Sequence, residues 1–270
     1  MGGIVIAFQK FIPAVGLFGK QEWIGLGNYR YVLALPGTMQ VLFNTVYIAV
    51  LKIFFGMAVP IAFALLINEV INLRYKRVLQ TVFYFPYFIS WIIFGGILLD
   101  ILSPTDGIVN RVLNMFGINS IFFLGSNKWF RGTLVFTDIW KNFGFGTVIY
   151  LATLTTIDPT QYEVAAIDGA SRWKQMIHIT LPGLRMIILL MFVLNLGNIL
   201  NAGFDQIFNV YSPQVYETGD IIDTLVYRMG ITDARYGPAT AVGLFKSVVS
   251  TLLISTSYYI AWKRFDYTLF

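Results

Sequence analysis

The sequence predicts an all-α protein that crosses a membrane several times. Of its 270 residues, 57% are hydrophobic and only 12% are charged, whereas about 25% charged residues is typical of a soluble globular domain. The apolar residues are concentrated in long runs, and a helix needs about 20 mostly apolar residues to cross a bilayer. This composition predicts a polytopic helical membrane protein with five complete transmembrane helices and a partial helix at the N-terminus.

The chain begins with a short apolar segment. Residues 3–18 are similar to the outer end of a helix whose beginning is missing. We expect either a truncated first helix or one reduced to a stub, and truncation is the preferred interpretation. Residues 19–38 contain several glycines and a proline, which predicts a connector with turns. We therefore divide the sequence into an N-terminal segment, 1–38, and a membrane domain, 39–264.

Five apolar runs follow, each long enough to cross the bilayer. The predicted spans are 41–67, 78–102, 132–154, 184–207 and 238–262. In the second span, Pro86 lacks a backbone donor and should bend the helix. This bend would either interrupt the transport path or be a structural kink. The last long connector, 208–237, is acidic, which suits either docking of a soluble partner or simple solvation.

Several classes of chemistry lack the residues they need. The chain has no cysteine and a single histidine, His178, which excludes a histidine-based metal site and a Ser-His-Asp triad. The phosphate-binding pattern GxxxxGK[ST] is absent from the sequence as well. We therefore expect no catalytic residue, no metal ligand and no cofactor bound by this chain. Its basic residues are too scattered to predict nucleic-acid binding.

A polar loop, residues 155–183, separates two of the predicted spans. Within it, segment 163–182 has the sequence EVAAIDGASRWKQMIHITLP. Gly169 suits a sharp bend between two short helices, because glycine tolerates conformations closed to other residues. Pro182 suits the first turn of the helix that follows. Small side chains at Ala165 and Ala166 predict a narrow protrusion that fits a groove on a partner.

This segment resembles the coupling loop of ABC-transporter permease subunits, in which two short cytoplasmic helices dock into a cleft of the ATPase subunit. The resemblance assigns contact with the ATPase to the matching positions, which are Glu163, Ala165, Ala166, Asp168, Gly169, Ile179, Leu181 and Pro182. Val164 departs from the family, which usually has alanine there. The alternative is an ordinary amphipathic loop of another helical membrane protein.

The resemblance implies a fold, a location and a set of partners. The fold is a six-helix type I importer core in the bacterial cytoplasmic (inner) membrane. The partners are a second homologous permease subunit, two ATPase subunits that bind ATP and Mg²⁺, and a soluble extracytoplasmic sugar-binding protein. The chain itself would not be an enzyme. Only the resemblance makes the loop cytoplasmic, because basic residues divide equally between the two sides of the predicted topology.

Three further stretches resemble permeases of importers for complex or uronate-containing oligosaccharides. They are residues 64–91, 102–110 and 215–230. An alginate-type importer of acidic oligosaccharides fits this resemblance particularly well. The rival hypothesis is an ion-coupled secondary sugar transporter, whose repeated halves and ionisable relays are not evident in the sequence.

Polar residues inside the spans are the candidates for a substrate path, because they are costly in lipid and usually face the interior of a helix bundle. The fourth span, 184–207, and its outer end carry Asn195, Asn198, Asn201, Asp205 and Asn209. All except Asn201 are predicted to lie close to one helical face. Amides can donate to and accept from sugar hydroxyls. Their alternative role is hydrogen bonding between helices.

Three basic residues, Lys52, Lys141 and Lys246, lie within predicted spans. Cations on a polar path would favour an acidic sugar by Coulomb attraction. Lys141 could instead be neutralised by Asp138, which precedes it by three residues. Trp140 could stack on a sugar ring, although aromatic residues are also common at membrane interfaces.

Overall fold

The computed structural model describes residues 2–16 and 19–265, and α-helices dominate this part of the chain. They are α1 (Gly27–Ala34), α2 (Thr38–Asn68), α3 (Leu73–Tyr84), α4 (Trp91–Ile101), α5 (Ile108–Met115), α6 (Asn127–Leu154), α7 (Pro159–Ile167), α8 (Arg172–Gln175), α9 (Leu181–Gly183), α10 (Arg185–Leu196), α11 (Phe204–Val210), α12 (Tyr216–Gly219), α13 (Ile222–Tyr227) and α14 (Tyr236–Phe265). The predicted all-α class is confirmed.

Shorter elements link these helices. The 3₁₀ segments are Gly2–Phe8, Pro13–Val15, Phe85–Phe88 and Pro213–Val215, and the π-helical segments are Met176–Thr180 and Arg228–Thr232. Strands β1 (Gln9–Lys10) and β2 (Glu22–Trp23) pair antiparallel. The described part of the predicted N-terminal helix is therefore helical mainly over Gly2–Phe8. Met1, Leu17 and Phe18 lie outside the described residues, and Thr38 is the first residue of α2.

Two of the described helices are long and apolar enough to cross a membrane unaided, namely α2 and the Tyr236–Ile260 part of α14. Two bent pairs qualify when each is taken as one span. Leu73–Phe88 meets Trp91–Ile101 at 100°, and Arg172–Gly183 meets Arg185–Leu196 at 53°. Helix α6 has 28 residues, which is long enough, but it does not reach the same apolar composition.

The predicted bend at Pro86 lies where the structure interrupts span 78–102. The chain changes to a 3₁₀ segment at Phe85–Phe88, where Pro86 occupies the first turn. Because proline has no N–H, it removes one hydrogen bond of the α-helix and favours a break there. Lys141 of α6 donates from Nζ to the backbone oxygen of Tyr87 at 2.8 Å. A carbonyl within this broken segment thus has a partner, as a break at membrane depth requires.

The described chain divides into two compact units. Unit 1 comprises the residues up to Val50, Trp91–Leu134 and Gly197–Thr256, and unit 2 comprises Leu51–Ser90, Val135–Leu196 and the residues from Ser257 onward. Unit 1 has an apolar cluster around Val41, Ile222 and Met229. Unit 2 has its own cluster, which brings Ala64, Tyr150 and Leu184 together. Each unit therefore has a core that supports a candidate site.

Candidate functional site

Unit 1 contains a cavity of about 1260 Å³. It is lined by residues from α4, α11, α13 and α14, by the 197–203 turn region and by the N-terminal 3₁₀ segment. Ligand pockets for drug-sized molecules are typically ~300–1,000 Å³. This cavity is thus large enough for a molecule of several linked rings.

One wall of the cavity is a face of α14 that carries small and hydroxyl side chains. Thr240, Gly243 and Ser247 share this wall with Lys246. A Cβ built on Gly243 would meet no atom within 4 Å. The glycine therefore leaves open space at the wall, and a ligand can approach the helix backbone there.

Aromatic rings line other parts of the same cavity. Trp91 comes from the start of α4, Phe204 from α11, and Tyr227 from the end of α13. Phe204 and Tyr227 also pack against each other, with ring centroids 5.7 Å apart. The cavity therefore combines flat apolar surfaces with hydroxyl and charged groups, a composition that suits the apolar faces and polar rims of sugar rings.

The lining includes one ion pair, between Lys246 of α14 and Asp223 of α13. The Lys246 Nζ and Asp223 Oδ1 atoms are 2.5 Å apart, and each side chain is about one-fifth exposed, at 22% and 21%. Asp205 lines the same cavity from the first turn of α11. The sequence singled out Lys246 and Asp205 but missed Asp223 as their neighbour, because it lies 23 residues before Lys246 in the acidic connector.

Helix α11 is held in place by contacts within unit 1. Gln206 is fully buried and donates from Nε2 to the backbone oxygen of Leu134 at 2.8 Å. Gly95 of α4 lies so close to α11 that a Cβ at this position would be 3.1 Å from the Cβ of Asn209. The structural role of Gln206 was not predicted, although a polar glutamine within a predicted span indicates a residue that faces the interior of the helix bundle.

The prediction that the polar residues of 195–209 lie close to one helical face is wrong, because the helix is interrupted. Helix α10 ends at Leu196 and α11 begins at Phe204. Between them, Gly203 adopts φ +94°, and its N–H donates to the Asn201 side chain at 3.3 Å. Glycine adopts such a conformation readily, and asparagine side chains compete with the helical backbone for hydrogen bonds.

The structure separates the residues of this predicted stripe. Asn201 and Asp205 line the cavity. Asn198 is exposed in the preceding turn. Asn209 donates to the backbone oxygen of Asp205. Asn195 lies in unit 2 and donates to the backbone oxygen of Met191. Donation to the carbonyl four residues earlier is a local helical contact.

The other predicted path residues belong to unit 2. Lys52 of α2 pairs with Asp138 of α6 at 3.3 Å, and the Lys52 side chain is only 9% exposed. Lys141 is buried, donates to Tyr87 O and lies over the Tyr87 ring, with Nζ 5.3 Å from its centroid. Trp140 is partly exposed, at 38%. These two lysines thus connect helices within unit 2.

The loop 155–183 also lies in unit 2. Asp158 caps α7, because its carboxylate accepts from Thr160 N at 2.9 Å. This backbone hydrogen bond holds the pKa of Asp158 below its ordinary value. Helix α7 ends at Ile167, and Gly169 just beyond its cap has φ +74°. Ser171 then caps α8, since Lys174 N donates to its hydroxyl at 3.4 Å. The loop thus contains two short helices joined at a glycine.

Most of the loop's predicted contact residues are exposed. Exposed positions are Glu163, Ala166, Asp168, Gly169, Leu181 and Pro182, and Ala165 and Ile179 are half-buried. Two large apolar neighbours are also exposed, Ile167 at 86% and Trp173 at 66%. Charged and apolar side chains together form an outward surface of the kind that docks on another protein.

Two hydrogen bonds within the loop hold its short helices together. Tyr162 and Thr180 join their hydroxyls at 3.0 Å, and Gln175 donates to Ala170 O at 3.0 Å. Beyond the loop, Leu184 is fully buried against Ala64 of α2 and Tyr150 of α6. The 53° bend between α9 and α10 means that the loop and α10 are not one straight helix.

The acidic connector 208–237 is folded into unit 1. Asp220 is buried and accepts hydrogen bonds from Arg228 and from Thr224. Burial alone lowers the pKa of Arg228, but the hydrogen bonds and charge of Asp220 raise it above its ordinary value. Arg131 of α6 donates to the Thr218 backbone oxygen at 3.2 Å. Of the two alternatives for this connector, simple solvation does not hold at Asp220 and Asp223, which are paired with Arg228 and Lys246.

No group of three or more potential metal-ligating side chains (His, Cys, Asp or Glu) lies together anywhere in residues 2–16 and 19–265. The Nδ1 atom of His178 donates to the Lys174 backbone oxygen at 3.0 Å, and the side chain is exposed. The candidate sites in the described chain are the cavity of unit 1 and the exposed face of loop 155–183.

Comparisons with known proteins give one consistent family. A family model described as "Binding-protein-dependent transport system inner membrane component" matches residues 56–265. Protein LplB of Bacillus subtilis (strain 168) is 41% identical over 98% of this chain and 83% of its own length. The polygalacturonan/rhamnogalacturonan transport system permease protein YteP of the same organism is 37% identical over 97% of this chain and 82% of its own length.

Solved structures of ABC transporters are also similar to this chain. A chain from the crystal structure of a bacterial ABC transporter involved in the import of the acidic polysaccharide alginate superposes with a TM-score of 0.89, at 36% identity. The match covers 97% of this chain and 88% of that one. A chain from the same kind of transporter, in complex with a periplasmic protein that holds an alginate pentasaccharide, superposes with a TM-score of 0.88.

Proposed function

The chain belongs to the family of binding-protein-dependent transport system inner membrane components, and we propose that it conducts an acidic oligosaccharide. It is a permease subunit of an ABC importer and has the expected type I importer fold. It is therefore a multi-pass protein of the inner membrane and not an enzyme. This assignment removes the rival hypothesis of an ion-coupled secondary transporter.

The partners follow from the subunit composition of ABC importers. A second permease completes the membrane pathway, two ATPase subunits supply the energy, and a soluble extracytoplasmic protein delivers the sugar. The sequence carries no GxxxxGK[ST] pattern. We therefore propose that ATP and Mg²⁺ bind to the ATPase subunits and not to this chain.

The cavity in unit 1 is the observation that carries the substrate class. It holds about 1260 Å³, and its described lining exposes aromatic rings, hydroxyls, two carboxylates and one ammonium group. Aromatic faces pack against the apolar faces of sugars, and hydroxyl and amide groups bond to their rims. Lys246 adds a group that can bind a carboxylate. Two similar proteins, YteP and the alginate importer chain, are named for acidic polymers, which supports a uronate-containing substrate.

The loop 163–182 supports the energy-coupling role. We propose that Glu163, Ala165, Ala166, Asp168, Gly169, Ile179, Leu181 and Pro182 form or support the surface gripped by an ATPase subunit. Ile167 is the apolar knob at its tip. When ATP closes the ATPase pair, the loop moves, and Leu184 transmits the movement to α2 and α6 through the core of unit 2. Hydrolysis then resets the pathway.

Reconstitution tests this proposal directly. The complete complex in proteoliposomes, with the binding protein present, is supplied with oligogalacturonate, oligoalginate or a neutral oligosaccharide of equal length. We expect the acidic sugars to stimulate ATP hydrolysis and to accumulate inside. Stimulation by neutral sugars alone would overturn the acidic class and leave the permease assignment intact. Accumulation driven by a proton or sodium gradient without ATP would overturn the mechanism.

A further inference from the structure

In the cavity of unit 1, Lys246 is already paired with Asp223. We propose that Asp223 binds Lys246 at the position that a substrate carboxylate takes, and that an entering acidic sugar displaces Asp223 from Lys246. This inference rests on the proposed function, because it explains how that same cavity would choose an acidic substrate. Lys246 and Asp223 are then the residues that determine specificity.

The position of the pair makes the exchange possible. Both residues line the cavity, and they come from separate helices, α13 and α14. Each side chain keeps about one-fifth of its surface exposed, at 22% for Lys246 and 21% for Asp223. A ligand in the cavity can therefore reach the ammonium group, and the displaced carboxylate can turn into the water of the cavity.

A second ion pair in unit 1 lacks these properties. Asp220 pairs with Arg228 in the same connector, but its side chain is only 7% exposed. Its Oδ1 atom also accepts from Thr224 at 2.7 Å, and neither Asp220 nor Arg228 belongs to the described lining of the cavity. Asp220 is thus fixed by several donors, whereas Asp223 accepts from Lys246 alone among the side chains that the structure describes.

Charge balance explains why an exchange is needed. The described lining contains two carboxylates, Asp205 and Asp223, and one ammonium group, Lys246. An empty cavity with these groups ionised does not attract an anion. A lysine without any counter-ion would in turn be costly at a site of reduced dielectric. Replacing one carboxylate by another keeps Lys246 paired throughout, so the cavity stays stable when empty and still accepts a uronate.

The exchange also separates acidic from neutral sugars. A uronate oxygen accepts a charge-assisted hydrogen bond from Lys246 Nζ, and such bonds are roughly twice as strong as neutral ones. A neutral sugar offers only hydroxyls, which cannot compete with Asp223 for the ammonium group. For a neutral sugar the Lys246–Asp223 pair therefore stays closed.

Four variants of the complete complex test the exchange. They are Lys246→Gln, Lys246→Arg, Asp223→Asn and the double change Asp223→Asn with Lys246→Gln. Lys10→Gln is the matched control, because it removes the same charge from an exposed N-terminal pair with Glu22. The readouts are the KM for oligogalacturonate and the ratio of its uptake to that of a neutral oligosaccharide, each normalised to assembled complex.

Lys246→Gln should lower the acidic-to-neutral uptake ratio roughly tenfold, the loss expected for one charge-assisted contact. Lys246→Arg should retain most of the ratio. Asp223→Asn should lower the KM for the acidic sugar, because its competitor is gone. The double variant should remain deficient for the acidic sugar. Lys10→Gln should leave the ratio unchanged.

A purely structural pair predicts a different pattern. Lys246→Gln and Asp223→Asn would then each reduce uptake of both sugars in parallel, and the double variant, with a neutral Asn–Gln pair, would recover both. That pattern overturns the exchange. If Lys246→Gln fails to assemble, Asp223→Asn still decides, since a raised KM for the acidic sugar contradicts the proposal. A wild-type complex that ignores acidic sugars would instead overturn the proposed function itself.

Discussion

The acidic connector 208–237 and the coupling loop 155–183 are nearly equal in length and both carry several charges, but they end in opposite environments. In the connector, Ile221 and Ile222 are buried, and Asp220 is paired inside unit 1. In the loop, Ile167 is 86% exposed, and Asp168 lies on the surface.

The difference comes from the partners that each segment finds within its own unit. The connector meets Asn44 and Thr45 of α2 and Arg131 of α6, which bond to its backbone groups. In the part of the chain that the structure describes, the outward face of the loop has no such bonds to another helix, and the bonds of Tyr162 and Gln175 are made within the loop itself. A segment with charged and apolar residues becomes a core or a docking surface according to what covers it. Matched substitutions can break or sharpen this comparison.

The largest contrast is expected for the same substitution at two isoleucines. Ile222→Ala should destabilise the protein by about 2–5 kcal/mol, because it removes buried methyl groups and leaves a cavity. Ile167→Ala, at the exposed tip of the loop, should change stability by less than about 0.5 kcal/mol and instead weaken binding of the ATPase subunit. Denaturation in detergent and co-purification of the ATPase measure the two effects. Equal losses of stability would contradict the comparison.

Two aspartates of the connector give the next contrast. Asp220→Asn should destabilise the protein by about 3 kcal/mol, because it leaves the Arg228 charge partly buried without its counter-charge. Asp233→Asn is the control, since Asp233 is exposed in the same connector. The control should cost less than about 0.5 kcal/mol. Denaturation midpoints of the two variants at neutral pH measure the difference, and a stable Asp220→Asn protein would show that the pair is dispensable.

Two glycines with the same conformation test the loop itself. Gly169 and Gly117 both have φ +74°, and a Cβ on either would meet no atom within 4 Å. Valine should strain the backbone by about 1–2 kcal/mol at each position. Only Gly169→Val should lower ATP-driven uptake, by about tenfold or more, while the chain still inserts into the membrane. Uptake by the Gly117→Val complex should remain normal. Unchanged uptake and ATP hydrolysis in Gly169→Val would count against the coupling role.

The smallest effect concerns Tyr211 of the connector. Burial raises the pKa of Tyr211 to about 12, helped by Tyr216 and Asp220 and opposed by Arg228. An unfolded tyrosine has a pKa near 10, so the unfolded state releases its proton first. This contribution to stability is complete below pH 10 and declines as the pH rises from about 10 to 12. Tyr211→Phe should flatten that decline and remove one late step from the tyrosinate absorbance titration.

The sequence predicted the class of fold well, because hydrophobicity along a helix is a local property. The continuous helices α2, α6 and α14 coincide with three predicted spans, and the loop with its glycine bend lies where the pattern indicated. The break between Leu196 and Phe204 was missed, although Gly197 and Gly203 flank it. Glycine and asparagine weaken a helix without setting where it ends, since tertiary contacts often override propensity.

The candidate site was only partly predictable. Asp205 and Lys246 were found because charged residues in apolar spans are conspicuous. Asp223 was missed as their neighbour, and Lys52 was not matched to Asp138, because the members of each pair are far apart in the sequence. Nothing in the local pattern shows which acid will reach which lysine.

By itself, the sequence determined that this chain is a helical membrane protein of the ABC permease class, and it predicted a coupling loop. These properties depend on composition and on short motifs, and neighbouring residues are enough to express them. Only the tertiary structure decided which charges are paired, which helices are broken and where the cavity opens. Those outcomes depend on packing between segments that are distant along the chain, and burial makes each pairing energetically decisive only once the helices have come together.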